Sequence, residues 1–127
     1  MIPASTDEPA VTFTRFARDW FRLLARGAFA DAASRLDEPN SYGERWSAKQ
    51  IQDALRDYAR TESVQVSDPD TLAGDGRPSL VEFDDGCGYS FEHDVPLRGE
   101  WSDLTAQFEF LRRPQGYAVV LHDIHVL

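Results

Sequence analysis

The sequence predicts an α+β domain in which N-terminal helices pack against a C-terminal antiparallel sheet. Two observations lead to this prediction. Apolar residues between positions 11 and 60 recur at helical spacing, and from position 79 onward they alternate as they do in strands. The chain has 127 residues, about the size of one ordinary domain, so we predict a single domain over 1–127 with a flexible segment at 1–10.

Three helices are predicted in the first half of the chain. Residues 11–26 form an amphipathic helix, with Thr12 as its N-cap and Gly27 as its C-terminal stop. A shorter helix follows over 28–36. The third helix, residues 47–60, opens with a Ser-x-x-Gln capping box, in which the two side chains bind the free backbone N–H groups of the first turn.

A meander of strands is predicted in the second half. Residues 80–83 and 89–95 are expected to pair across a glycine-rich turn, and residues 104–111 and 117–126 across a Pro-Gln-Gly turn. The last strand is apolar on both faces until Asp123, which is the pattern of a central strand.

Composition limits the partners and the compartment. The formal net charge is −9, and the segment from Asp68 to Asp103 holds ten acidic and two basic residues. This balance argues against direct nucleic-acid binding, which depends on clustered Lys and Arg. No segment has the roughly 20 apolar residues of a membrane span, and we expect no secretory signal. The lone Cys87 excludes an intramolecular disulfide, so we expect a cytoplasmic protein.

The histidines do not predict a metal site or a reaction. His122 and His125 point to opposite faces of a strand and cannot hold one metal together. Asp123 shares a face with His125, but no nucleophile is placed beside them by the sequence. The loop that begins at Asp68-Pro69-Asp70 lacks the ligand spacing of a calcium-binding EF-hand. We therefore predict no catalytic residue, no metal and no cofactor.

Two parts of the sequence resemble known families. The segment 20–32 is similar to the junction between the long and the short helix of the nuclear-transport-factor-2-like (SnoaL-like) fold. That resemblance implies a curved, cone-shaped sheet, in a class that contains enzymes, ligand-binding modules and immunity proteins. The family's isomerase pattern needs a tyrosine on the first helix, which this chain lacks. Segments 101–105 and 123–127 resemble uncharacterised bacterial proteins.

The first strand pair carries an acidic hairpin. If Phe83 and Tyr89 close its turn, Glu82, Glu92 and Asp94 lie together on one outward face. Such a face fits a cationic partner, because charge complementarity raises association rates and selectivity. The expected partner-binding residues are Glu82, Asp84, Asp85, Glu92, Asp94, Glu100 and, as an aromatic anchor, Trp101.

Three functional interpretations remain open. The first is a non-enzymatic protein that binds a basic protein, with an immunity protein of a bacterial toxin system as its most concrete form. The second is a small-ligand binder, or a lyase-like or isomerase-like enzyme, with a pocket between sheet and helices. The third is a homodimerisation module that presents one sheet face. The pocket of the second interpretation would be lined by Trp20, Tyr42, Trp46 and His93.

Overall fold

The computed structural model describes all residues 1–127 and confirms the α+β prediction, with three helices packed against a curved antiparallel sheet. Nearly all of the sheet lies in the second half of the chain, as predicted. The helices are α1 (Pro9–Ala25), α2 (Phe29–Ser34) and α3 (Ala48–Ala59), and the strands are β1 (Ile2–Pro3), β2 (Ser79–Glu82), β3 (Gly88–Leu97), β4 (Glu100–Arg113) and β5 (Gly116–Val126).

The five strands form one sheet in the order β1-β5-β4-β3-β2, and every pair is antiparallel. Two irregularities curve it. One lies between Asp94 and Pro96 in the β3–β4 pair, and the other between Gln107 and Phe108 in the β4–β5 pair. Each leaves more unpaired residues on one strand than on its partner, which bends the strand and increases its local twist. In the second irregularity, His122 is the extra residue.

Aromatic rings fill the space between α1 and the concave inner face of the sheet. Phe13 stacks on Phe110 with ring centroids 4.1 Å apart, and Trp20 meets Phe108 edge-on at 5.2 Å. The indole N–H of Trp20 donates a hydrogen bond to the carbonyl of Ala32 at 2.9 Å, which ties α1 to α2. The hydrophobic core is therefore formed mainly by one face of α1 and the inner face of the sheet.

The ends of α1 correct one prediction and confirm another. Thr12 is not the N-cap, because the helix already begins at Pro9 and Glu8 occupies the cap position. Proline suits the first helical position, since its fixed φ is helical and its missing N–H would have had no intrahelical partner. At the other end, Arg26 is the C-cap and Gly27 follows with φ +75°, as the predicted stop requires.

The capping box of α3 is confirmed. The Gln50 backbone N–H donates to Ser47 Oγ at 3.2 Å, and the Ser47 backbone N–H donates to Gln50 Oε1 at 2.8 Å. Two N–H groups that the helix itself cannot satisfy are thus bound by side chains.

Replacing Ser47 with alanine should lower the free energy of unfolding by about 1 kcal/mol, because one N-cap hydrogen bond is lost. Urea denaturation followed by circular dichroism measures this loss. Ser79→Ala, at an exposed strand serine, is the control and should change stability by less than about 0.5 kcal/mol. Equal losses in the two variants would contradict the capping interpretation.

The predicted register of the acidic hairpin is wrong by one residue. Glu82 lies opposite Tyr89, and Ser79 lies opposite Glu92. The cause is Gly88, which joins the strand: Phe83 N–H donates to its carbonyl at 2.9 Å, so the loop is one residue shorter than expected. A Cβ at Gly88 would lie 2.3 Å from the Phe110 carbonyl oxygen, so glycine allows this close approach.

Non-strand segments cover parts of both sheet edges. On β3, beyond the four residues paired with β2, the edge is covered by the backbone of the segment 65–77. The Asp94 N–H donates to the Gly76 carbonyl and the Ser67 N–H donates to the Pro96 carbonyl, both at 2.9 Å. On β5, Val119 N–H donates to Asp37 Oδ2 at 2.8 Å, next to the pairing with β1. Strand β1 is not among the predicted strands and lies in the segment 1–10, which was predicted to be flexible.

None of the three helices combines the length and the apolar character needed to cross a membrane.

Candidate functional site

The outer face of the sheet, which points away from α1, carries a row of polar side chains in register across three strands. Glu92 of β3 lies opposite Gln107 of β4, and Gln107 lies opposite Asp123 of β5. Directly paired residues point to the same side of a sheet, so these three side chains form one band, here called the acidic row. Glu109 lies diagonally from Glu92, about 7–8 Å away, on the same face.

The carboxylates of this face are largely uncompensated. Glu92 and Glu109 make no salt bridge, and the only charged or imidazole group near Asp123 is His125, with Oδ2 3.2 Å from Nδ1. His125 Nδ1 has no hydrogen-bond partner, so this contact is not a hydrogen bond. Asp123 Oδ1 also accepts a hydrogen bond from the Ile124 backbone N–H at 2.8 Å. The prediction that Asp123 and His125 share a face is confirmed by their pairing with Gln107 and Thr105. The outer face therefore presents negative charge that other side chains of the chain do not neutralise.

Asp94 points to the same face but is already bound within the molecule. The guanidinium of Arg77 donates from Nε to Oδ2 at 2.8 Å and from Nη2 to Oδ1 at 3.2 Å, and the Asp94 side chain is 9% exposed. These hydrogen bonds raise the pKa of Arg77 above its usual value. Asp94, which was predicted to bind a partner, is thus held in an ion pair that anchors the loop before β2.

The other predicted acidic residues lie far from the row. Glu82 forms an ion pair with Arg112 at 3.0 Å, on the inner-face side with Tyr89. Asp84 and Asp85 lie in the adjacent turn, where hydrogen bonding to Asp85 raises the pKa of the Cys87 thiol. Exposed Glu100 pairs with Leu97 at the opposite end of β3, roughly 17 Å along the strand from Glu92. The predicted seven-residue patch is therefore not one surface.

Trp101 is not an exposed anchor. Its indole N–H donates to the carbonyl of Ala73 at 2.9 Å, its ring centroid lies 5.3 Å from that of His93, and the Arg18 guanidinium carbon lies 5.7 Å from its centroid. The Trp101 ring is thus engaged by neighbouring groups of the same chain. Trp101 fastens the loop that contains Ala73 to the end of the sheet.

Tyr42 is the exposed aromatic residue beside the acidic row. Its side chain is 77% exposed, and its ring lies against His122, the residue before Asp123, with centroids 5.7 Å apart. Buried Asn40 holds the loop: its Oδ1 accepts hydrogen bonds from the backbone N–H groups of Tyr42 and Glu44, both at 3.0 Å. The turn-forming pair Pro39-Asn40 was the sequence signal for this loop, but not for its position next to β5.

The four predicted pocket residues do not line one cavity. Trp20 is part of the filled core, Tyr42 is exposed, and Trp46 is partly buried at the start of α3. His93 is 0% exposed, and its Nδ1 lies 2.8 Å from the Asp94 carbonyl, while Nε2 has no hydrogen-bond partner. Burial lowers the pKa of His93 below its usual value, so the imidazole is neutral at pH 7.

No group of three or more His, Cys, Asp or Glu side chains is arranged to hold a metal ion. His122 and His125 contact different neighbours, Tyr42 and Asp123 respectively. The chemistry that the outer face offers is therefore charge, hydrogen bonding and one exposed ring.

Comparison with protein families gives one match, which runs from the middle of α1 to the end of the chain. Residues 21–127 match the family described as Domain of unknown function (DUF7668). The chain belongs to this family. The DUF7668 match includes α2, α3 and β2–β5, and hence the whole acidic row and the Tyr42 loop. The comparison with curated proteins found no match, and the comparison with solved structures found none either.

Proposed function

We propose that this DUF7668 protein is a non-enzymatic binding protein whose outer sheet face docks a basic protein. The observation that carries the proposal is the acidic row, with Glu92 and Asp123 in register and Glu109 beside them. Neighbouring carboxylates repel each other, which costs stability in the free protein. A cationic partner would remove that repulsion on binding.

Tyr42 supplies the aromatic contact that this surface needs. Interface energy concentrates in a few residues, among which tyrosine is enriched, and a cation over a tyrosine face is attracted to the ring. Asn40 fixes the Tyr42 loop, so little conformational freedom is lost there on binding. An arginine or lysine of the partner at Tyr42 would place its neighbouring cations over the acidic row.

The filled interior supports this function over the small-ligand alternative. A ligand-binding or isomerase-like protein with a pocket between sheet and helices needs a cavity there, and the rings of Phe13, Trp20 and Phe108 occupy that space. The polar character of the outer face also favours a charged partner over a homodimer, because permanent dimer interfaces are more apolar than the rest of the surface.

The finer family assignment is also part of the proposal. A long helix, a short helix and a third helix packed on a curved meander are the features of the nuclear-transport-factor-2-like class, and this chain has them in that order. Within that class, an immunity protein that neutralises a basic toxin in the cytoplasm is the form that the acidic row supports best.

Association kinetics test the proposal. A partner captured at low ionic strength is purified, and its association with the chain is followed by stopped-flow fluorescence. Neutralising Glu92→Gln, Glu109→Gln and Asp123→Asn together should slow association about tenfold at low salt. High salt should slow the parent protein to a similar rate, because it screens the same charges.

The matched control neutralises three acidic residues in the helical half of the chain: Asp31→Asn, Asp57→Asn and Glu62→Gln. It makes the same change in net charge and should alter the rate by less than about twofold, since long-range attraction alone is affected. Equal slowing by both triple variants, or a partner as acidic as this chain, would refute docking at the outer face.

A further inference from the structure

A cleft on the helical side of the molecule lies between the N-terminal segment and α1. Its volume is about 360 Å³, within the range of small-molecule sites. The side chains that determine its chemistry are Ile2, Thr12, Arg15, Phe16, Asp19 and Arg35, and none of them belongs to the outer face.

The cleft carries positive charge, although the protein as a whole is acidic. Arg35 makes no salt bridge, and Arg15 has one exposed pair with Asp7, whose Oδ2 lies 3.3 Å from Nη1. Exposed pairs of this kind contribute little and exchange readily with water. The one acid in the wall, Asp19, is already bound by Arg22. Two arginines thus face the cleft without a strong internal counter-charge.

The neighbouring arginines of α1 differ in this respect. Arg22 Nη2 lies 2.7 Å from Asp70 Oδ1, and Arg18 Nη2 lies 3.3 Å from the same oxygen. Hydrogen bonding to these two arginines lowers the pKa of Asp70 below its usual value. Arg18 and Arg22 are therefore paired with the protein's own carboxylate, whereas Arg35 in the cleft is not.

The floor of the cleft is apolar. Phe16 contacts Phe108 and Phe110 of the core edge-on, both at 5.6 Å, and it also borders the cleft together with Ile2. A ring or short alkyl chain placed there would extend the core packing, and burial of its surface would be favourable. The hydroxyl of Thr12 adds a polar group on the α1 wall.

We infer that this cleft binds a small carboxylic acid with an apolar body, with the carboxylate held by Arg35 and Arg15 and the body on Phe16 and Ile2. Arginine matches a carboxylate through two parallel N–H donors, which gives this pairing its geometric specificity. The site does not depend on the docking function, because it lies on the opposite side of the sheet.

The test uses the full chain and three probes: 3-phenylpropionate, its neutral analogue 3-phenylpropan-1-ol, and acetate. Backbone amide chemical shifts in NMR titrations locate binding and give dissociation constants. We expect 3-phenylpropionate to bind at about 1 mM, as its size allows, with shifts at residues 12–19 and 35. The alcohol and acetate should bind at least about fivefold more weakly, since each lacks one half of the ligand.

Charge variants separate this site from general attraction. Arg35→Gln should weaken 3-phenylpropionate about fivefold and leave the alcohol unchanged, because only the carboxylate contact is removed. Arg60→Gln is the matched control: Arg60 is the C-cap residue of α3, as Arg35 is of α2, and also has no salt bridge. It should leave both affinities as they are.

Three outcomes would overturn the inference. Equal affinities for 3-phenylpropionate and the alcohol would show that no carboxylate is recognised. Shifts confined to Arg18 and Arg22 would place binding at those two arginines and not in the cleft. Equal effects of Arg35→Gln and Arg60→Gln would show that binding depends on the net charge of the protein and not on the position of Arg35.

Discussion

Replacing Gly76 with alanine should lower the free energy of unfolding by about 2–5 kcal/mol, the sum of backbone strain and overpacking. Gly76 has φ +72°, a conformation that costs residues with a Cβ. The added Cβ would also lie 2.3 Å from His93 Cε1 and 2.9 Å from Trp101 Cζ3. Both rings are fixed by their own hydrogen bonds, so neither can move away at low cost.

Gly74→Ala is the matched control for this variant. Gly74 has φ +84°, so the backbone strain is similar, but its Cβ would lie 3.8 Å from Trp101, an ordinary contact distance. We expect a loss of about 1 kcal/mol from strain alone. Urea unfolding followed by tryptophan fluorescence measures both variants. If Gly76→Ala were no less stable than Gly74→Ala, the close packing of this loop on His93 would be disproved.

The second large effect is a pH dependence of stability that originates at His93. Burial lowers the pKa of His93 in the folded state, the Arg18 charge adds to that effect, and the Asp94 carbonyl with the charges of Asp94 and Asp75 opposes it. As the pH falls below about 6.5, the unfolded chain therefore takes up a proton before the folded one does. The contribution of His93 to the free energy of unfolding is therefore fully present above about pH 6.5. It is lost as the pH falls toward the folded-state pKa.

The expected slope is at most about 1.4 kcal/mol per pH unit for one proton. His93→Leu removes the titrating group, so its free energy of unfolding should change less between about pH 7 and pH 5 than that of the parent. The comparison concerns slopes, so the variant's lower absolute stability does not affect it. A parent slope that survives in His93→Leu would assign the dependence to other groups.

Local patterns in the sequence were enough to predict the elements of the fold. The apolar spacing of α1 identifies the face that packs on the sheet, and the Ser47 capping box marks the start of α3 to the residue. These features depend on neighbours within four positions in the chain. A two-residue strand such as β1 has no period to detect, and its partner Tyr117 lies at the other end of the sequence.

The candidate site was harder to predict because it depends on register. One residue of difference at Gly88 moves Glu82 to the other face, since side chains alternate along a strand. The unpaired His122 shifts the register of β5, and this shift determines which β5 side chains lie on the same face as Asp123. An ion pair between a loop and a strand, such as Arg77 with Asp94, cannot be recognised from the spacing of residues along the sequence. The sequence therefore predicted that the sheet surface is acidic, but not which acidic side chains remain free to bind a partner.

The covered sheet edges have a consequence for self-association. An open β edge can add a strand from another molecule, which leads to aggregation. On β3, the segment 65–77 occupies the hydrogen-bonding groups that β2 leaves free, and on β5 the Asp37 carboxylate and β1 do the same. The β2 edge is four residues long, follows Pro78 and ends in Glu82. Concentrated preparations should therefore resist fibril formation, although Val81 is 63% exposed on that strand.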